Sequence, residues 1–173
     1  MERIMVIGVS AGAGKSTFAR ELGRVMELPV HHLDAYFWKP GWIERDKEEF
    51  REAQARLAAE PRWIIEGNYG STMDIRLPEC DTLIQLELPL WRCLWRVVKR
   101  RIQYHKKMRP DMAPGCPEKL DIAFLHYIVT TYRQRKKTQH EIMKDFYGKY
   151  PQKQVYQLRS PREINQFLSG IGK

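Results

Sequence analysis

The sequence predicts an α/β fold in which amphipathic helices cover both faces of a parallel β-sheet. Short apolar runs alternate with longer amphipathic segments along the 173 residues, and no internal repeat or low-complexity tract breaks the alternation. Parallel strands need crossover connections, and helices between buried strands provide them. With 43% apolar residues the chain can bury one substantial core, so we expect a single domain over residues 1–173.

The first half of the chain contains three predicted strands. Each is a short apolar run bounded by turn residues, and they comprise residues 4–7, 29–33 and 63–65. Apolar residues at helical spacing predict helices over residues 18–26 and 46–59. The aromatic-rich residues 36–42 are predicted to form a loop.

The second half of the chain continues the alternation. Pro89 suits the first turn of a helix, and the prolines within residues 105–117 prevent that helix from continuing. The predicted elements, in order, are a strand (82–88), a basic helix (89–104), a long helix (about 118–147), a strand (154–158) and a short helix that begins at Pro161.

A Gly-rich turn follows the first strand directly and leads into a helix. It reads Val9-Ser10-Ala11-Gly12-Ala13-Gly14-Lys15-Ser16-Thr17. The N–H groups of such a turn and of the helix N-terminus bind the phosphates of a nucleoside triphosphate. Lys15 then reaches the β- and γ-phosphates, and the Ser16 hydroxyl binds Mg²⁺. Residues Gly12 to Thr17 therefore predict a phosphate loop, the alternative being an ordinary Gly-rich turn.

One position departs from this motif. The motif expects its first glycine at position 9, where this sequence has Val9, and Gly8 lies one place too early. We therefore expect an unusual backbone at the start of the loop.

Positive charge is concentrated in one part of the chain. The formal net charge is +9, and residues 92–137 contain thirteen Lys or Arg against three Asp or Glu. Such a field attracts polyanions, either nucleotide phosphates or nucleic acid. A solvated basic helix face without a ligand is the third possibility.

Acidic residues follow two of the predicted strands. Ligands of α/β sheets bind beyond the carboxyl ends of the strands, so these residues are candidates for the site. Asp34 could accept a proton from a substrate hydroxyl or hold a water on Mg²⁺, or it could be an N-cap or turn residue. Glu66 is a candidate partner of Mg²⁺ through a water molecule.

Three residues after Glu66 could line an acceptor pocket, namely Asn68, Tyr69 and Arg76. Arg76 could equally be a surface residue that pairs with Asp74 or Glu79.

The predicted basic helix carries a stripe of cations at positions 92, 96, 99 and 100, which lie on one face. Beside a phosphate loop, such a stripe can clamp the transferred phosphoryl group and cover the base. Residues 105–117, which include Arg109, are long enough to close as a lid that excludes water. A plain surface loop is the alternative.

Other candidate features are weaker. Adjacent strand residues point to opposite faces, so His31 and His32 cannot chelate one metal together. The aromatic residues of 36–42 could stack on a base or fill the core. The three scattered cysteines favour reduced thiols in a cytoplasmic protein, and we expect neither a signal peptide nor a membrane helix.

The set of motifs resembles that of the nucleoside monophosphate kinases, through the phosphate loop, Asp34, the Glu66-Gly67 turn and the arginines after Pro89. Adenylate kinases place arginines that cover adenine and contact phosphate at positions equivalent to Arg96 and Arg100. The resemblance implies a three-layer P-loop NTPase fold with a five-stranded sheet in the order 2-3-1-4-5 and a lid over about residues 105–117. It also implies that Arg159 and Ser160 border the adenine.

Longer peptides resemble the bacterial DNA topology modulation proteins, a family whose name implies an effect on DNA topology but no particular reaction. These peptides are Leu33-Asp34, Phe37-Trp38-Lys39-Pro40-Gly41-Trp42, Glu66-Gly67-Asn68-Tyr69, Asp74-Ile75-Arg76-Leu77, Arg109-Pro110-Asp111-Met112, Gly115-Cys116-Pro117-Glu118 and Leu158-Arg159-Ser160-Pro161. The adenylate kinase turn that grips the monophosphate is replaced by Asn68-Tyr69, so the acceptor need not be a nucleotide.

Two functional hypotheses follow. The first is a kinase-like phosphotransferase that uses ATP and Mg²⁺ to phosphorylate an unidentified small molecule or nucleotide. Its catalytic residues would be Lys15, Asp34, Arg96 and Arg100, and its acceptor residues Asp34, Asn68, Tyr69, Arg76 and Arg109. The alternative is an ATP-regulated nucleic-acid-binding protein that uses residues 92–137, with a DNA affinity that falls steeply with salt.

Overall fold

A computed structural model describes residues 1–104, 111–117 and 121–171. Its centre is a parallel sheet with the spatial order β2 (Val30–His32), β5 (Trp63–Glu66), β1 (Arg3–Gly8), β6 (Thr82–Leu86) and β7 (Gln154–Leu158). Counted among these five strands alone, the order is 2-3-1-4-5, as predicted. Two further strands, β3 (Trp38–Lys39) and β4 (Ile43–Glu44), pair antiparallel in a separate hairpin.

Helices connect the strands and cover both faces of the sheet. They are α1 (Lys15–Met26), α2 (Leu33–Phe37), α3 (Lys47–Ala58), α4 (Met73–Arg76), α5 (Leu90–Gln103), α6 (Ile122–Lys149) and α7 (Pro161–Ile171), with a 3₁₀ turn at Gly70–Thr72. Across the described ranges, none of these helices combines the length and apolarity that a membrane crossing requires.

Strand β1 shows why the core has two halves. Ile4 and Val6 pack on the face covered by α1 and α7, whereas Met5 and Ile7 pack on the face covered by α3 and α6. All four side chains are fully buried. Such continuous apolar runs are typical of strands that are covered on both faces.

The region between β2 and α3 differs from the prediction. Leu33 begins a helix instead of ending a strand, and the predicted aromatic loop contains the β3–β4 hairpin. Two-residue strands and five-residue helices are too short to produce a periodic apolar pattern. The short helix α4 was missed for the same reason.

The predicted lid falls partly outside the described residues, because residues 105–110, with Arg109, are not among them. The described part, residues 111–117, packs against the hairpin, where the Gly41 N–H donates to the Gly115 carbonyl at 3.0 Å. Closure of a lid therefore stays a prediction.

Candidate functional site

The Gly-rich turn has the backbone that a phosphate loop needs. Gly12 and Gly14 have φ values of 76° and 92°, in the left-handed region that favours glycine. A Cβ at Gly12 would lie 2.2 Å from the Cys93 carbonyl oxygen, and a Cβ at Gly14 would lie 2.5 Å from Arg96 Nη1. Backbone shape therefore favours glycine at both positions, and at Gly12 the backbone of α5 also leaves no space for a side chain.

Val9 extends β1 without an unusual backbone. Its N–H donates to the Leu86 carbonyl at 3.1 Å, its side chain is fully buried, and its φ is not positive. The close approach falls instead at Gly8, where a Cβ would lie 2.9 Å from carbons of the Lys15 side chain. The expected distortion at Val9 is therefore absent, because the glycine one place earlier supplies the space.

Two side-chain amides hold the backbone of Gly8 at the entrance to the loop. Asn68 accepts from the Gly8 N–H at 3.0 Å and donates to the Gly8 carbonyl at 2.7 Å. Gln139 of α6, fully enclosed in the core, donates to the same carbonyl. Asn68, predicted to bind an acceptor, thus positions the phosphate loop, and Gln139 had no sequence signal because only the fold brings α6 to β1.

Cations from three elements converge on the loop. Lys15 Nζ donates to the Ser10 carbonyl at 3.3 Å, and Arg96 donates to the Ala13 carbonyl at 3.2 Å. Arg100 of α5 and Arg135 of α6 line the same cleft. Burial lowers the pKa of Arg96 from its ordinary value, but an arginine remains charged near neutral pH. The cleft can therefore bind several phosphate charges.

Oxygen ligands meet beside the start of α1. The Ser16 hydroxyl donates to the Glu66 carboxylate at 3.1 Å, and His32 Nδ1 lies 2.9 Å from the same carboxylate oxygen. A hydroxyl and a carboxylate are hard oxygen donors of the kind that Mg²⁺ prefers. The pair fits the magnesium site predicted from sequence, and His32 orients Glu66 within it.

Asp34 lies in the first turn of α2, whose N-cap is His32, so it is not an N-cap itself. The Tyr69 hydroxyl donates to Asp34 Oδ1 at 2.6 Å. The Tyr69 ring is held between Phe37 and Phe50, each with ring centroids 4.9 Å away. Burial and the neighbouring carboxylate raise the pKa of Tyr69, so the hydroxyl keeps its proton and remains a donor.

Arg76 lies behind the cleft rather than in it. Its side chain is fully buried and donates to the carbonyls of Gly67, Asn68 and Tyr69. Burial lowers its pKa to about 10. The surface alternative is also wrong, since Asp74 pairs with Arg51 and Glu79 pairs with Arg3. Arg76 instead fixes the turn that carries Asn68 and Tyr69.

Arg159 and Ser160, which were predicted to border adenine, form hydrogen bonds with residues close to them in the sequence. Ser160 exchanges hydrogen bonds with Glu163 and caps α7, and the Arg159 side chain donates to Gln157. The cleft wall in this region consists of α7 residues, among them Pro161, Ile164, Asn165 and Leu168.

One cleft of about 1310 Å³ is lined by the phosphate loop, Arg96, Glu66 and Asp34. It extends from the phosphate loop and α5 to Asp34, and beyond Asp34 to Trp38 and Trp42. The aromatic segment therefore has two roles: Phe37 packs in the core with Phe50, and the two tryptophans form cleft wall.

Comparisons with known proteins identify the fold of this chain but do not assign it to a family. No family model and no curated protein matches the chain. Solved structures do match, including a shikimate kinase from Acinetobacter baumannii in complex with shikimate (TM-score 0.59, 16% identity, 99% of this chain and 90% of that one). A shikimate kinase from Bacteroides thetaiotaomicron matches with a TM-score of 0.56 and 18% identity over 98% of this chain and 96% of that one. A gluconokinase from Sinorhizobium meliloti matches with a TM-score of 0.52 and 15% identity over 99% and 93%.

These matches show that the chain has the P-loop kinase fold. At such identities they carry the fold alone, and similar folds host different reactions. They lend no support to the resemblance to the DNA topology modulation proteins, which stays a prediction.

Proposed function

We propose that this protein is a kinase that transfers the γ-phosphoryl group of ATP to a hydroxyl of a small molecule. The observation that carries the proposal is that the phosphate loop, Arg96 and Asp34 line one cleft. The structural neighbours named as shikimate kinases and a gluconokinase support this reaction class, since both names describe kinases.

On the nucleotide side, the N–H groups around Gly12 and Gly14 and the Lys15 ammonium would bind the β- and γ-phosphates. Arg96 and Arg100 would stabilise the charge on the moving phosphoryl group. Ser16 would hold Mg²⁺, with Glu66 acting through a water. When bound, the metal would neutralise charge on the phosphate oxygens.

On the acceptor side, Asp34 would accept the proton of the attacking hydroxyl. The hydroxyl oxygen forms the new bond to the γ-phosphorus, and the bond to ADP breaks. Tyr69 would fix the orientation of the Asp34 carboxylate through its hydrogen bond to Oδ1. A residue that is held in one orientation is an effective general base.

The distribution of positive charge supports a nucleotide over a nucleic acid as the polyanion. Arg96, Lys99, Arg100 and Arg135 all line the cleft. Lys136, on another face of α6, pairs with Glu87 at 2.9 Å. The nucleic-acid alternative and a role in DNA topology stay predictions.

The test is Lys15→Ala, assayed for ADP formation from MgATP with shikimate, gluconate, nucleoside monophosphates and simple sugars. We expect acceptor-stimulated turnover in the wild type and a loss of about 10²–10³-fold in the variant, since a group that binds transition-state charge is removed. The exposed Lys47, at the start of α3, provides the matched control Lys47→Ala, for which we expect wild-type turnover.

Absence of acceptor-stimulated, Lys15-dependent turnover in the folded wild type would overturn the proposal. Equal turnover by Lys15→Ala and Lys47→Ala would also overturn it, because the phosphate loop would then not be the site.

A further inference from the structure

A row of aromatic rings lines the cleft and ends at Asp34. Trp42 contacts Trp38 with ring centroids 5.4 Å apart, Trp38 contacts Phe37 at 4.9 Å, and Phe37 contacts Tyr69 at 4.9 Å. The Tyr69 hydroxyl then donates to Asp34 at 2.6 Å. The rings therefore connect the β3–β4 hairpin to the carboxylate that would receive the acceptor proton.

The hairpin is fixed from behind by a distant segment. The Gly41 N–H donates to the Gly115 carbonyl at 3.0 Å, and Trp42 Nε1 donates to the Pro117 carbonyl at 3.1 Å. A small buried cluster packs against both tryptophans; its members are Met112, Ala113 and Cys116. The two indole rings are thus held in place, although each remains partly exposed to the cleft.

Trp42 also has a backbone conformation that tryptophan rarely adopts. Its φ is 66°, in the left-handed region. A bulky residue keeps this conformation only where the surrounding structure imposes it. In this conformation the indole of Trp42 lies beside that of Trp38, with ring centroids 5.4 Å apart.

The cleft has room for two ligands at once. Its volume of about 1310 Å³ exceeds the range of roughly 300–1,000 Å³ that is usual for a pocket holding one small molecule. The phosphate loop, α5 and α7 line one end, and the aromatic row lines the other. The second end is therefore available to an acceptor while a nucleotide occupies the first.

We propose that Trp38 and Trp42, whose ring planes lie at 68° to each other, form an aromatic corner that receives the ring of the acceptor, and that the acceptor is a ring-bearing alcohol. This inference rests on the proposed function. A nucleobase presents a flat face that packs on indole, and a sugar or carbocycle presents an apolar C–H face, whereas a straight-chain polyol has no fixed face of this kind. With the ring on the tryptophans, a ring hydroxyl attacks the γ-phosphorus, its proton passes to Asp34, and ADP leaves.

The experiment compares ring-bearing with straight-chain alcohols. ADP formation from MgATP is measured with shikimate, myo-inositol and uridine, and separately with gluconate, sorbitol and glycerol. The variants are Trp38→Leu, which removes the ring, Trp38→Phe, which keeps one, and Trp95→Leu as the control. Trp95 is a suitable control because it is 62% exposed on α5 and does not line the cleft.

We expect turnover with at least one ring-bearing alcohol at a lower KM than with any straight-chain compound. Trp38→Leu should raise the KM for that alcohol about tenfold, with the KM for ATP unchanged, because one stacking partner is lost. Trp38→Phe should raise it less than threefold, and Trp95→Leu should leave it unchanged. Thermal unfolding of each variant checks that it is folded.

Turnover with straight-chain compounds alone, or an unchanged acceptor KM in folded Trp38→Leu, would overturn this inference and leave the proposed kinase function standing. If Trp38→Leu does not fold, the preference of the wild type and of Trp38→Phe for rings decides the matter. Absence of turnover with every compound would overturn the kinase function, and the inference with it.

Discussion

The two ends of the cleft are built in different ways. The end proposed for the nucleotide consists largely of contiguous residues, from Ala11 to Thr17, whose backbone groups and one lysine would supply the binding chemistry. The acceptor end gathers side chains from α2, the β3–β4 hairpin and the turn after β5. The segment behind the hairpin is far along the chain, as the contact between Cys116 and the Lys39 carbonyl spans 77 positions.

This difference shows how one fold can serve many acceptors. A phosphate is recognised by main-chain N–H groups, which any sequence with the right glycines can present. An acceptor is recognised by particular side chains on elements that can vary independently. The turn from Gly67 to Tyr69 joins the two ends, since Asn68 holds the phosphate loop and Tyr69 holds Asp34.

The largest expected effect is a loss of catalysis at the acceptor end without a loss of binding at the nucleotide end. We expect Asp34→Asn to lower kcat about 10²–10⁴-fold, because a general base is lost. The calorimetric affinity for MgATP should stay within about twofold of the wild type, because the proposed function assigns Asp34 to the acceptor and not to the phosphates.

Tyr69→Phe tests whether Tyr69 acts through Asp34. Alone, it should lower kcat about tenfold, the effect of losing one hydrogen bond to a charged group. In the Asp34→Asn background it should cause no further loss, since the two residues act as a unit. Additive losses would mean that Tyr69 does not act through Asp34. A fall in MgATP affinity with Asp34→Asn would mean that the two ends are not separable.

The next effect is a loss of stability, and it concerns the turn that joins the two ends. Arg76→Met removes the donor to three carbonyls in a fully buried site, and we expect a loss of about 3 kcal/mol in the free energy of unfolding. Urea denaturation measures it. The exposed Arg24, which pairs with Glu21 within its own helix, gives the control Arg24→Ala at about 0.5 kcal/mol or less. Equal costs for the two variants would show that Arg76 does not hold the turn.

The smallest effect concerns the entrance of the phosphate loop. Asn68→Ala leaves the Gly8 N–H without its partner, and we expect the Kd for MgATP to rise about fivefold, the equivalent of one neutral hydrogen bond. Calorimetry measures it, with Gln152→Ala as an exposed amide control. If acceptor KM changes and MgATP affinity does not, Asn68 belongs to the acceptor end, as the sequence first indicated.

Much of the fold followed from the sequence because its signals are local. Apolar runs placed the five strands of the sheet, and the run from Gly12 to Thr17 placed the loop at the start of α1. The hairpin and α4 were missed because they are too short to show a period. Arg76 and Asn68 were assigned to the acceptor from their position after a strand, but position does not reveal which way a side chain turns.

The sequence by itself determined the α/β class and the phosphate loop, because each depends on neighbours along the chain, whereas the order of strands was implied by the resemblance to the nucleoside monophosphate kinases. Tertiary structure alone decided that Gln139 reaches Gly8, that Tyr69 holds Asp34 and that Trp38 and Trp42 face the same cleft. The physical reason is that these contacts join elements whose relative placement depends on packing of the whole core, and no local pattern records that placement.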